Sequence, residues 1–459
     1  MALDVVNAAT ELSPMFSGKL LKPGDASYEK ARKVHNGLID KRPALIARCQ
    51  GIADVVDAIG IAQRLRLETA VRGGGHNVAG RATIDGGVMI DLAPMKGIHV
   101  DPVRRTVRAQ GGVTWAELNR ETQLHGLAVT GGTVSSTGIA GLTLGGGLGW
   151  LMGKHALALD NLLSIDLVLA DGRVVTVSEH ENADLFWGAR GGGGNFGVAT
   201  SLEYRLHPVG PQITGGLIAY PFDEAWDVLR YYRDMADRLP DELTLYGGLI
   251  HAPDGSGQKL AVMVLCHCGS LAEGDKAVEP IKGFGKPAID AIATTSYTQM
   301  NTILDAGFPR GALNYWKSSF LSSLSDDAIR IMIDAFARCP TPMGGLVLEH
   351  IHGAVTRIGP TDTAFPHRSL GHSLLVLAQW MDHGQNSACI AWARESYATM
   401  QGFMGKGRYV NNLDDDEPRD AVAAAYGPNY RRLQEIKTKY DPSNFFRMNQ
   451  NIQPLGSKP

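Results

Sequence analysis

The sequence predicts an α+β protein of two lobes, the second a sheet covered by helices on one face. Three observations carry this expectation. Helix and strand patterns are mixed from 45 to 210, and the chain breaks at Pro208-Val209-Gly210-Pro211. Beyond the break, about 190 residues alternate long strands with amphipathic helices. At 459 residues the chain is long enough for two or three domains with sizeable cores. The expected boundaries are 1–209 for the first lobe (core about 39–209), 210–404 for the second, and 405–459 for a C-terminal segment of different character.

In the first lobe Ala53–Arg66 reads as a helix, with Val55, Val56, Ile59 and Ala62 on one side, leading into a strand at Glu68–Arg72. Gly87–Leu92 and Thr106–Gln110 read as strands. Thr114-Trp115-Ala116-Glu117 spells a capping box, a hydroxyl and a carboxylate spaced to satisfy the first free N–H groups of a helix that ends before Gly126. Ile165–Leu169 and Val174–Val177 flank Asp171-Gly172, a pair suited to the positive φ of a hairpin turn. Val198–Leu206 alternates with Val198, Thr200, Leu202, Tyr204 and Leu206 on one face.

The second lobe offers strands at Leu243–Ile250, Leu260–His267, Asn314–Leu321, Leu346–Val355 and Leu374–Met381. Helices fit Asp223–Arg238, Ser325–Arg338 and Ser387–Gln401. On Leu346–Val355, Glu349 shares a face with Ile351 and Gly353 while His350 and His352 point the other way; on Asn314–Leu321, Tyr315, Lys317 and Ser319 share a face. From Tyr409 the chain is polar and aperiodic, apart from a helix-like Tyr430–Lys439.

A net charge of −3 without any Lys/Arg run leaves no footprint for nucleic acid. No segment reaches the ~18 apolar residues of a membrane span. Met1–Phe16 lacks both the basic start and the apolar core of a secretion signal, so a cytoplasmic protein with no membrane partner is expected. The five cysteines are odd in number and scattered, which argues against a disulfide framework. Cys266-His267-Cys268 sits beside an apolar run with no second ligand pair and reads as a buried pair; no metal is expected.

Glycine is the anomaly, at 55 residues or about 12%, against a usual ~7%, and 26 of them fall between 71 and 200. Val71-Arg72-Gly73-Gly74-Gly75-His76-Asn77 follows a strand. Its glycines can present bare N–H groups to an anion, Arg72 can add charge, and a histidine fixed at the loop's end is placed to act as a nucleophile toward a bound cofactor. The second cluster, Gly131 to Trp150, mixes glycine with serine and threonine as an extended cradle for an anion and a heterocycle. As a flexible linker it would leave Ile139, Leu142, Leu144 and Leu148 exposed. Gly192-Gly193-Gly194-Asn195-Phe196-Gly197 spells GxGxxG, but a helical stretch (Ala183–Arg190) precedes it and a strand follows, the reverse of a dinucleotide fingerprint. Walker A, HExxH and GxSxG motifs do not occur.

Arg72–Asn77, Gly131–Gly149, Asp160-Asn161-Leu162, Asp184-Leu185-Phe186-Trp187 with Arg190–Gly197, and Tyr440-Asp441-Pro442 through Asn451 together resemble the berberine bridge enzyme-like FAD-linked oxidases. Within them the chain is most similar to the bacterial 6-hydroxynicotine oxidase-like branch. The resemblance implies a PCMH-type FAD-binding domain of the vanillyl-alcohol oxidase superfamily in the first lobe, a substrate domain with an antiparallel sheet, and a tail that returns to the flavin. His76 matches the histidine bonded covalently to the flavin 8α-methyl. The cysteine that makes a second link in many relatives is replaced by Val134, so one link is expected. The resemblance further assigns Arg72, Gly73, Gly74, Gly75, Asn77, Gly80, Thr133, Thr137, Gly138, Gly141, Gly145, Gly146 and Gly147 to the cofactor. It adds Val198 through its backbone, and Tyr409, Asn411, Asn449 and Asn451 from the tail. Glu349 occupies a position similar to a pocket glutamate of relatives and is the first choice for general base, followed by Tyr315 and Lys317, then Tyr246. Thr363–Arg368 also matches a family motif and reads as structural.

The implied activity is that of an FAD-dependent oxidase. A C–H next to O or N of a small organic substrate gives hydride to the flavin, and molecular oxygen reoxidises it to yield hydrogen peroxide. A dehydrogenase with a non-oxygen acceptor stays open, since Ile139 lies where relatives control oxygen access, as does a flavin-oxygenating tailoring enzyme. The substrate and a homodimer are equally unresolved by the residues.

Overall fold

A computed structural model describes residues 7, 14–252, 254–416 and 420–456. The first lobe holds two larger sheets and a two-stranded antiparallel pair, Leu127–Ala128 with His207–Pro208. A four-stranded sheet runs in the order Lys19–Leu21, Leu45–Arg48, Val88–Asp91, Thr69–Arg72, the last three parallel. The helix Ile52–Arg64 buries Val55, Ala58, Ile59 and Ala62 against it, matching the apolar stripe of the sequence. A five-stranded antiparallel sheet follows in the order Ile98–Asp101, Thr106–Gln110, Val198–Arg205, Leu162–Val168, Val174–Ser178. The capping box forms, Glu117 accepting from the Thr114 N–H at 2.8 Å, and Gly172 turns the hairpin at φ +83°.

The second lobe is one antiparallel sheet in the order Ile289–Asp290, Gln212–Pro221, Lys259–His267, Leu243–His251, Gly345–Ile351, Gly371–Trp380, Leu313–Leu321, with Ala293–Ser296 also paired to Gln212–Pro221. Helices Ala225–Ala236, Leu271–Lys282, Asp326–Ala337 and Asn386–Met400 share an apolar core with one face of it. Four of these elements go unread in the sequence, among them the short strands Ile289–Asp290 and Ala293–Ser296. Gly215, Gly216 and Pro221 disguise the strand Gln212–Pro221, while Gly274 and Pro280 disguise the helix Leu271–Lys282 despite its Ser270/Glu273 capping box. The strand expected to run to Val355 ends at Ile351, because Gly353 takes φ +60° and opens a 3₁₀ turn.

Polar bonds join the lobes. Arg368 forks onto Asp160 at 2.7 and 2.8 Å with both side chains buried, which gives the Thr363–Arg368 motif its structural role. Asp305 accepts from the Ser135 N–H and hydroxyl at 2.8 and 2.6 Å, and Asn301 donates to the Gly132 carbonyl. Cys266 and Cys268 are buried free thiols. Among the described residues, no helix is long and apolar enough to cross a membrane, and no group of His, Cys, Asp and Glu is arranged to hold a metal.

Candidate active site

The glycine–histidine loop leaves the edge strand Thr69–Arg72 and is fixed from behind. Arg72 does not face the cavity. Its guanidinium is buried, donating to both oxygens of Asp91 and to the carbonyls of Ala31 and Lys33. The charge expected for an anion is therefore spent on holding the loop, a correction to the sequence reading. Gly74 and Gly138 then cross so closely that a Cβ on either would lie 2.3 Å from the other's backbone nitrogen. No side chain fits at this crossing, which ties the two glycine clusters together.

His76 emerges beside that crossing. Its Nε2 lies 2.8 Å from the Ser136 hydroxyl and its Nδ1 3.5 Å from that of Thr137. Its ring stacks on His35 at 4.0 Å between centroids. Burial, then the neighbouring His35 and Arg310, pushes its pKa down to about 3, so the imidazole is neutral with a lone pair free at neutral pH.

The loop opens onto a cavity of about 700 Å³, within the range of small-molecule and cofactor sites. Gly73, Gly74, Gly75, His76, Asn77, Thr133, Val134, Thr137, Gly138 and Gly141 line it, as the sequence suggests. Gly145 and Gly146 lie one layer behind, packed under Asn411 and Tyr409, and Gly147 packs on Ala158 and Leu142 while donating its N–H to Tyr409. Gly80 sits at a turn against Ile39 instead. The Val198 side chain belongs to the core of the first lobe, while its neighbours Gly197 and Ala199 reach the wall. Ile139 is fully buried.

The tail closes one wall. Lys437 and Asp441, both fully buried, pair at 2.6 Å, and Lys437 also donates to the carbonyls of Asn195 and Phe446. Asn449 donates to the Gly194 carbonyl and Asn195 to that of Gln450, zipping the tail onto the Gly192–Gly197 loop. Asn449 and Gln450 line the cavity; Asn451 does not, and its Oδ1 is buried without a partner. Arg81, absent from the sequence reading, lines the wall with a buried, unpartnered Nε, while its other nitrogens reach Met448, Asn449 and Asp415. Unlike Arg72 it reaches the cavity wall, although its charge is paired with Asp415.

The second lobe contributes one rung of its sheet. Tyr246, Glu349 and Ser373 are direct cross-strand partners. Burial raises the Glu349 carboxyl from its usual value to about 7, partly offset by a hydrogen bond from Ser373. The side chain is half-buried because one side opens onto the cavity. Tyr246 packs on Trp150 at 4.8 Å, and its hydroxyl is buried with no partner. Tyr409 completes the group. Its hydroxyl accepts from the Gly147 N–H and from Asn411, each at 2.9 Å, which leaves its own proton to donate. Burial and the Glu349 charge hold the Tyr409 phenol at about 12 and keep that of Tyr246 well above its usual value.

Tyr315 and Lys317 are not brought to this group. They occupy the opposite face of their strand, toward the helices, where both bond Asp416 and Tyr315 also accepts from Arg394. Their even-numbered neighbour Trp316 reaches the cavity instead.

Two family models match the chain. One described as "FAD binding domain" covers residues 43–178, and one described as "Berberine and berberine like" covers residues 408–453. An FAD-linked oxidoreductase of Dictyostelium discoideum is 31% identical over 99% of this chain and 98% of its own. (R)-6-hydroxynicotine oxidase of Paenarthrobacter nicotinovorans is 33% identical over 98% of this chain and 99% of its own. The solved structure of 6-hydroxy-D-nicotine oxidase from Arthrobacter nicotinovorans superposes with a TM-score of 0.87 at 30% identity, covering 95% of this chain and 98% of that one. The glycine crossing, the returning tail and these full-length matches agree, and the chain belongs to the berberine bridge enzyme-like family of FAD-linked oxidoreductases.

Proposed function

We propose that this chain is an FAD-dependent oxidase of a small organic substrate, with the flavin tethered once, through His76, and Glu349 acting as general base. The observation that supports the reading most is that His76, Tyr246, Glu349 and Tyr409 line one continuous cavity together with the two glycine clusters. The residues fit an FAD: the glycine segments leave room for close approach, Arg81 offers an unpartnered buried N–H, and Tyr246 an unpartnered hydroxyl. When bound, FAD supplies the hydride acceptor and returns two electrons to molecular oxygen, giving hydrogen peroxide.

The chain's own part is to hold, orient and move a proton. Neutral His76, gripped by Ser136 and Thr137, presents a nucleophilic nitrogen for the tether. With a pKa of about 7, Glu349 is poised to take the O–H or N–H proton of a substrate as its C–H bond breaks, neither held protonated nor too weak a base. The free proton of Tyr409 can hydrogen-bond the same substrate atom and fix its orientation. Val134 stands on the cavity wall where a second tether would need a thiol, leaving space for the substrate.

A screen that follows anaerobic bleaching of the flavin over small amines and benzylic alcohols identifies a reducing substrate. Protein bleached anaerobically with it and mixed with air-saturated buffer is expected to recolour within seconds. Recolouring only with a quinone would instead make it a dehydrogenase, and labelled oxygen in the product an oxygenase.

A further inference from the structure

On the reading of this cavity as an oxidation site, we infer that the substrate is an elongated apolar molecule carrying its hydroxyl or amine at one end, and not a sugar. The sheet floor is built in rungs, and their chemistry changes abruptly. The first rung, Tyr246, Glu349 and Ser373, is polar. One rung further along, the cavity-lining side chains are Val262, Val347 and Leu375. In the next they are Ile250, Leu377 and Trp316, with Gly345 between. No charged side chain stands on either of these two rungs among the described residues.

Successive rungs on one face are two residues apart, about 7 Å, so the apolar floor runs about 13 Å beyond Glu349. Leu217 and Val264 flank the polar end, and the buried amide of Gln379 marks the far one. A sugar chain along this floor would lose hydration from its hydroxyls against surfaces that return no hydrogen bond. An alkyl or aromatic body loses nothing of the kind, and its terminal hydroxyl or amine reaches Glu349 and Tyr409.

Calorimetric titration of the FAD-loaded protein with butan-1-ol, hexan-1-ol, octan-1-ol and cellobiose tests this without relying on turnover. Affinity is expected to rise about fourfold per added methylene, with cellobiose weaker than octan-1-ol. Val347→Thr keeps the shape but adds a hydroxyl to the floor, and is expected to weaken octan-1-ol by roughly threefold to tenfold while leaving butan-1-ol within about twofold. Ile250→Asn, at a half-buried position, repeats the test one rung on. A series flat in chain length, or cellobiose bound more tightly than octan-1-ol, overturns the inference even if the protein is flavinylated. A graded series in protein that takes up no FAD would leave the apolar floor standing and remove the oxidation site.

Discussion

Glu349→Gln is expected to move stability and activity in opposite directions. In the folded chain the carboxyl is raised from 4.5 to about 7. Between those values the folded state keeps a proton that the unfolded state has released. Stability therefore falls as pH rises from 4.5 to 7 and levels off above, where the ionised group costs up to about 3 kcal/mol. Screening from the open side of the cavity reduces this, so glutamine, which never ionises, should stabilise the protein by about 1–3 kcal/mol at pH 8 and by nothing at pH 4. Urea unfolding followed by tryptophan fluorescence at both pH values measures the difference. As the base, Glu349 should give wild-type kcat/KM a tenfold fall per pH unit below about 7. The variant should lose that limb together with roughly 10²–10⁴ in rate. A glutamine variant that is less stable at pH 8, or that keeps the inflection near 7, refutes the assignment.

Three further outcomes follow from the packing. Asp441→Asn leaves the fully buried Lys437 ammonium without its counter-charge and should cost about 3–5 kcal/mol, with faster hydrogen exchange over 445–452; a change under about 0.5 kcal/mol would show that the clamp does not hold the tail. His350 and His372 are buried, with their pKa values pushed down by burial to about 2 and about 4. The unfolded chain takes up protons as pH falls through 6.5 while these rings do not, so each should remove about 1 kcal/mol of stability between pH 6.5 and 5.5. His372→Phe should flatten that slope in urea titrations, and an unchanged slope counts against it. Asp305→Ala removes both bonds to Ser135 and should expose the 301–308 segment to proteolysis, at a cost of about 1–3 kcal/mol; resistance equal to wild type would show that the bond is not a latch.

Much of the site is legible in the sequence because its constraints are local. Gly74 and Gly138 stand where two loops leave no room for a Cβ, so the demand for glycine is written into the chain. Alternation along Leu313–Leu321 groups Tyr315 with Lys317 correctly, yet a period of two cannot say which face looks inward. That is decided by the helices, which take this pair and turn Trp316 to the cavity. Arg72 shows the same limit. A cation in a glycine loop suits a phosphate equally well, and only the parallel partner strand reveals that Asp91 claims it. Arg81, Asn195 and Gln450 escape notice because their roles exist only once the tail returns across more than 250 residues to meet them. His35 carries no motif at all, and Ser136 stands out from the second glycine cluster only by touching His76.

Whether His76 carries the flavin can be asked of a single peptide. Protein purified yellow, precipitated with acid and digested should yield the fragment containing residue 76 with the added mass and absorbance of the cofactor, and His76→Ala should surrender its colour to the supernatant. An unmodified fragment from flavin-replete protein, with all the colour extractable, would contradict the tether on which the reading of this cavity is built.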